Sequence, residues 1–235
     1  MRDLRSGLVR FVLDGMIING GRMKSFTEPL EGLKEYVELK KRLKNENEIV
    51  QVSGCIDVQK PHFIYSLLEE KEHGLIVTFQ EQNAKELYEV YRFFDRKVVY
   101  YPAKDVLFYH SDIRGKVLTA QRLLAIKAIL EQEQVTVITS FDALMDRLVP
   151  LEQMKKGILT YALGDPLDIE VIKAHLIRMG YERNAQVEHA GQFAVRGGIL
   201  DIFPLTEENP YRIELWGDEI DSIRSFDIES QRSIE

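Results

Sequence analysis

Two groups of residues in this chain of 235 residues have types and spacings that could do chemistry. The first is Gly54-Cys55-Ile56-Asp57-Val58-Gln59-Lys60-Pro61. It has the length and some landmarks of the phosphate-binding loop Gly-x-x-x-x-Gly-Lys-Ser/Thr. Gly54 and Lys60 fall in place, but Gln59 stands where the second glycine belongs and Pro61 where the Ser/Thr belongs. Such a loop works by wrapping backbone N–H groups around phosphates, and glycine permits that geometry. Gln59 puts a side chain where the phosphate would lie. Pro61 lacks both the magnesium-binding hydroxyl and a donating N–H, and Asp57 adds negative charge. The segment reads either as an ordinary strand-to-helix loop or as a decayed phosphate loop. No nucleotide or other cofactor is expected.

The second group is Arg196, Arg212 and Trp216. On Tyr211-Arg212-Ile213-Glu214-Leu215-Trp216, strand alternation puts Tyr211, Ile213 and Leu215 on one face and Arg212, Glu214 and Trp216 on the other. A large aromatic beside an arginine on the polar face of a strand has the composition of a protein-binding hot spot. Arg196 precedes Gly197-Gly198, where a strand can kink or bulge. In a meander all three residues can share a sheet face. The competing reading pairs each arginine with a nearby acid such as Asp201 or Glu214.

Other candidates read as structural. Asp218, Glu219 and Asp221 form an acidic cluster that suits a solvated hairpin turn better than a metal site. The aromatics at Tyr100-Tyr101-Pro102 and Phe108-Tyr109-His110 could stack on bases, but no basic groove accompanies them. His175 and His189 have no Ser or Cys partner for a triad. Cys55 reads as a small residue closing a strand.

The elements that must carry these residues follow from periodicity. Residues 26–47, 62–72, 82–94, 119–132 and 141–148 read as helices, and 49–52, 75–79, 97–101 and 135–139 as strands. Short apolar strands alternating with helices imply a parallel sheet covered on both faces. The pattern predicts a doubly wound α/β domain over residues 26–153, followed by a small α+β domain over 154–235 with an antiparallel sheet. In the second domain Asp165-Pro166 reads as a helix start and Gly180 as its C-cap.

Composition narrows the class of function. The net charge is −7, and residues 154–235, with nine Lys/Arg against 15 Asp/Glu, carry most of it. That disfavours a nucleic-acid-binding module. One cysteine excludes a disulfide framework, and the five histidines are scattered away from ligand spacing. No apolar run reaches the roughly 20 residues of a membrane span, so a cytoplasmic setting is expected. Residues 1–25 read as an extension outside both domains, non-native or flexible, with Met23 as the natural start. Arg10 and Asp14 interrupt the apolar patch that could be mistaken for a signal peptide.

The run 191–204, GQFAVRGGILDIFP, followed by Arg212-Ile213-Glu214, Gly217-Asp218-Glu219-Ile220 and Ser230-Gln231-Arg232-Ser233, closely resembles bacterial transcription-repair coupling factor. The excision-repair protein UvrB carries a similar run. The resemblance implies a UvrB-like N-terminal module: a RecA-like domain 1a with a degenerate nucleotide site, then domain 2. It implies a non-catalytic adaptor that recruits the damage-recognition protein UvrA to stalled RNA polymerase. Arg196, Arg212 and Trp216 match the family's UvrA-binding residues, with Trp216 where Phe is common. RNA polymerase and double-stranded DNA would be engaged through domains outside this sequence. The alternative is a UvrB-like, ATP-dependent DNA repair helicase subunit.

Overall fold

The structure, a computed structural model, describes residues 9–11, 24–45, 48–68, 73–104, 112–131, 134–148, 150–156 and 158–234. The chain forms two compact units. One comprises Met16–Lys104 and Glu131–Asp146; the other comprises Met1–Gly15, Asp105–Leu130 and Arg147–Glu235.

The first unit contains helices α1 (Lys24–Glu31), α2 (Lys34–Arg42), α3 (Lys60–Leu68) and α4 (Glu81–Tyr91) and the short α6 (Phe141–Leu144). Its sheet is built from β2 (His73–Thr78), β3 (Val98–Tyr101) and β4 (Val135–Ser140) in the order β2-β4-β3, all parallel. Parallel strands need crossover connections, and α4 lies in the one from β2 to β3, which flank β4. Ile76, Ile138, Val98 and Tyr100 gather with Ala84, Tyr91 and Tyr65 from the helices into one apolar cluster.

Three expectations are corrected here. The helix expected over residues 26–47 breaks at Gly32-Leu33 into α1 and α2, where glycine weakens the helix and Leu33 takes an extended N-cap conformation. No strand forms at 49–52: these residues have no ladder partner, and Ile49 is 96% exposed. A four-residue apolar run is a strand only if a neighbour pairs with it. The sheet is not covered on both faces along β2. Leu75 and Val77 are exposed while Gly74, Ile76 and Thr78 are half-buried, so no described element covers the Leu75–Val77 face of this strand.

The second unit contains α5 (Asp112–Glu131, all but its last residue), α7 (Leu151–Lys156) and α8 (Ile169–Arg178). Strand β1 (Val9–Phe11) pairs in parallel with β5 (Leu159–Tyr161), so part of the N-terminal extension is strand. The main sheet holds β6 (Glu182–Arg183), β7 (Gln192–Arg196), β8 (Ile199–Ile202), β9 (Tyr211–Trp216) and β10 (Glu219–Ser225), in the order β10-β9-β8-β7-β6. The meander β7-β8-β9-β10 is antiparallel as expected, but β6 runs parallel to β7, so the sheet is mixed.

One face of this sheet buries Phe193, Leu200, Ile202, Ile213, Ile220 and Ile223 with Ile172 and Leu176 of α8. The i, i+4 spacing of those two helical residues puts them on one stripe. The helix starts later than expected. Asp168, not Asp165, is the N-cap, and its Oδ1 accepts from the N–H groups of Glu170 (2.8 Å) and Val171 (3.1 Å). Asp165 instead accepts from the N–H of Ala162 at 2.7 Å, and Pro166 bridges to Glu219. Gly180 follows the helix with a φ of 91°, as a C-terminal glycine should.

Candidate functional site

Hairpin geometry decides which side chains reach the other face of the second unit's sheet. Arg196 pairs with Ile199 across Gly197-Gly198, so the glycine pair is a two-residue hairpin turn rather than a kink within a strand. Gly197 has a φ of 60° while Gly198 does not have positive φ, the pattern of a type II′ turn. A Cβ on Gly198 would sit 3.2 Å from the Leu215 carbonyl oxygen. That close approach lets the Leu215 N–H donate to the Gly198 carbonyl at 2.8 Å, joining the turn to β9. The β9–β10 hairpin repeats the device: Trp216 pairs with Glu219 around Gly217, whose φ is 66°.

With register thus set, the second face reads in rows. At one end Ala194, Phe203 and Phe226 form a small apolar cluster with Val187. The next row is Ala194–Asp201–Arg212–Arg224, the next is Arg196–Ile199–Glu214–Ser222, and Trp216 lies beyond at the hairpin tip. The irregularity at Asp221 matters here. Ile220 and Ile223, three apart, would fall on opposite faces of a regular strand; the bulge puts both in the core and turns Ser222 and Arg224 outward.

The charged rows centre on Asp201, whose side chain is 1% exposed. Arg212 grips it side-on, Nε to Oδ1 at 2.7 Å and Nη2 to Oδ2 at 2.9 Å. Arg196 adds a third bond, Nη2 to Oδ2 at 2.7 Å. Bidentate arginine–carboxylate pairs are among the strong charge-assisted bonds, and the hydrogen bond to Asp201 holds the Arg212 guanidinium above its usual pKa. Arg212 is held by other groups as well. It lies 4.5 Å over the Phe226 ring and donates to the Gln231 carbonyl (3.4 Å) and side-chain oxygen (3.2 Å). Arg196 differs: its side chain is 50% exposed and its bond to Asp201 uses one N–H. Beside them Arg224 Nη2 meets Glu214 Oε1 at 2.6 Å, and Ser222 donates to Glu214 Oε2 at 3.2 Å.

The sequence-predicted residues Arg196, Arg212 and Trp216 therefore lie on one sheet face. Arg196 and Arg212 share a single carboxylate, so the acid pairing weighed as the competing reading is present as well. Trp216 is 84% exposed. Sequence reasoning missed Ile199, half-buried and outside both apolar clusters, and Arg224, paired with Glu214. Alternation back from Phe226 would have found Arg224; Ile199 depends on the Gly197-Gly198 turn.

The phosphate-loop candidate has a different local structure. No strand feeds it; Gly54 has a φ of 89°, and residues 57–59 turn into α3. The N–H groups of Gln59 and Lys60 donate to the Ile56 carbonyl at 3.0 and 3.3 Å. The Lys60 ammonium is 2.6 Å from Asp57 Oδ1, a bond that holds the Asp57 carboxyl below its usual range. Pro61 is buried in the first turn of α3. Of the aromatic candidates, Tyr100 stacks on Tyr88 and donates to Glu81, and Tyr101 is buried; Phe108, Tyr109 and His110 lie outside the described residues. Among the described residues no group of His, Cys, Asp or Glu is placed to hold a metal ion, and no helix is long and apolar enough to cross a membrane.

Comparison with known proteins gives this geometry a context. Residues 159–235 match the family model of the UvrB interaction domain. The chain is 39% identical over 141 residues to a transcription-repair-coupling factor of Bacillus subtilis, covering 60% of this chain and 12% of that protein. It is 30% identical over 209 residues to the corresponding protein of Staphylococcus haemolyticus, covering 86% of this chain and 18% of the relative. The chain thus spans less than a fifth of the length of these relatives, and the arginines and the tryptophan all fall inside the UvrB-interaction match.

Proposed function

We propose that this chain, which resembles the N-terminal, UvrB-like module of the transcription-repair coupling factors, acts as a non-catalytic adaptor that binds UvrA. The binding surface is the β7–β8–β9 face carrying Arg196, Arg212 and Trp216. Its role is to bring the damage-recognition protein to a stalled RNA polymerase. RNA polymerase and double-stranded DNA are engaged through parts of the longer relatives outside these 235 residues, and the setting is the cytoplasm. In this reading residues 26–153 are a RecA-like domain 1a and 154–235 the UvrA-binding domain 2.

The observation that carries the proposal is the exposure of Trp216 on the same sheet face as an arginine with unused donors. An indole 84% exposed contributes little to its own fold, and Trp and Arg anchors that become buried on binding dominate protein interfaces. Titrating UvrA into the chain tests it. Trp216→Ala and Arg196→Ala are each expected to weaken binding by about 30-fold, equivalent to about 2 kcal/mol. Unchanged affinity in both would refute the site.

The nucleotide site is proposed to be inactive. Lys60 is occupied by Asp57, Pro61 offers no donor, and the loop lacks the strand that would aim it. Calorimetric titration with ATP and magnesium is expected to release no binding heat. A micromolar affinity would instead favour the UvrB-like ATP-dependent helicase reading.

A further inference from the structure

We infer that Asp201 is the positioning residue of this face: it holds Arg196 in the one orientation that leaves the rest of its guanidinium free for a carboxylate of the partner. The inference rests on the proposed UvrA-binding reading and deepens it.

Asp201 cannot itself touch a partner, because its side chain is 1% exposed beneath the two arginines. A buried carboxylate without partners is costly, and a paired one dictates where its partners sit. Arg212 satisfies most of that need through two bonds, and is braced in turn by Phe226 and Gln231. The carboxylate is thereby fixed as a rigid acceptor before Arg196 is considered. Arg196 leans on it through Nη2 at 2.7 Å with half its side chain in solvent. Of the five N–H donors of a guanidinium, one is spent on Asp201 among the described residues. Among the described residues the others meet no protein acceptor. A planar fork that is anchored on one edge and open on the other suits bidentate capture of a second carboxylate. Fixing the side chain in advance also lowers the ordering cost that a long, exposed arginine otherwise contributes at an interface. The partner chemistry that follows is an acidic side chain next to an apolar one, the acid on Arg196 and the apolar group against Trp216.

A double-mutant cycle on the full chain, read as UvrA affinity by calorimetry, tests this. Asp201→Asn is expected to weaken binding about 10-fold in the otherwise unchanged chain, and only about threefold when Arg196→Ala is already present, the remainder passing through Arg212, which Asp201 also holds. A loss that is the same in both backgrounds, or no loss at all, would overturn the positioning role. If Arg196→Ala leaves affinity unchanged, the UvrA reading of this face fails instead, which separates the two failures. Should Asp201→Asn show no cooperative melt, Arg196→Lys decides, because Arg196 is half-exposed and tolerates change. One ammonium cannot hold Asp201 and a partner carboxylate in fork geometry, so Arg196→Lys is expected to bind nearly as weakly as Arg196→Ala. Affinity within about twofold of the parent chain would show that a bare positive charge suffices and refute the inference.

Discussion

Trp216 and Arg212, four residues apart on the same strand, face opposite physical situations. The indole is 84% exposed, so Trp216→Ala is expected to change thermal stability by less than about 0.5 kcal/mol. Its effect on UvrA affinity can therefore be read directly. Arg212 holds a buried carboxylate and caps an aromatic ring. Arg212→Ala leaves Asp201 with Arg196 alone, and removing a partner from a buried charge costs roughly 3 kcal/mol. Lost binding in that variant is expected together with a lower melting temperature, so Arg196 and Trp216 are the cleaner probes. The difference was not legible from residue type. Alternation placed Arg212 on the right face, but only the cross-strand partner Asp201 turned it into a brace.

At the scale of elements, the two hairpin turns set the register of the site. Gly197 occupies left-handed φ at the first turn position, a conformation that costs an L side chain roughly 1–2 kcal/mol. Gly197→Ala is expected to lower unfolding stability by about that amount in a denaturant titration, with Arg196, its immediate neighbour, displaced. An unchanged midpoint would mean the turn is not of this type. The glycine pair was recognisable in the sequence as a break, but whether it kinks a strand or reverses it depends on which residues pair across it. The β-bulge at Asp221 was equally hidden. The spacing of Ile220 and Ile223 conflicts with strict alternation, and that conflict is the signal that could have revealed it.

Across the whole molecule, both units bury tyrosines, and this predicts an alkaline limit to stability. Burial pushes the Tyr181 phenol up from 10.0 to about 12 in the second unit, and burial likewise raises Tyr91 and Tyr100 in the first. In the unfolded chain a tyrosine ionises near 10, so above that pH the unfolded state sheds protons first. The contribution of Tyr181 is fully present below pH 10 and is lost as pH rises toward about 12. The loss amounts to at most about 3 kcal/mol. Thermal melts taken in steps above pH 10 are expected to fall, and Tyr181→Phe is expected to flatten part of that fall. A pH-independent melting temperature in this range would contradict the burial of these phenols.

The sequence by itself determined what depends on near neighbours along the chain. Side-chain alternation on β9, the glycine end of α8 and the two departures in the 54–61 loop are local, set by a period of two residues, by backbone freedom and by side-chain chemistry. Tertiary structure decided whatever needs a partner from elsewhere in the chain. Residues 49–52 are no strand because nothing pairs with them, and β6 is parallel because of where the chain returns. Arg196 and Arg212 converge because antiparallel register across β7, β8 and β9 brings both onto Asp201. Pairing between strands is a long-range choice, and a buried carboxylate shared by two arginines exists only after that choice is made.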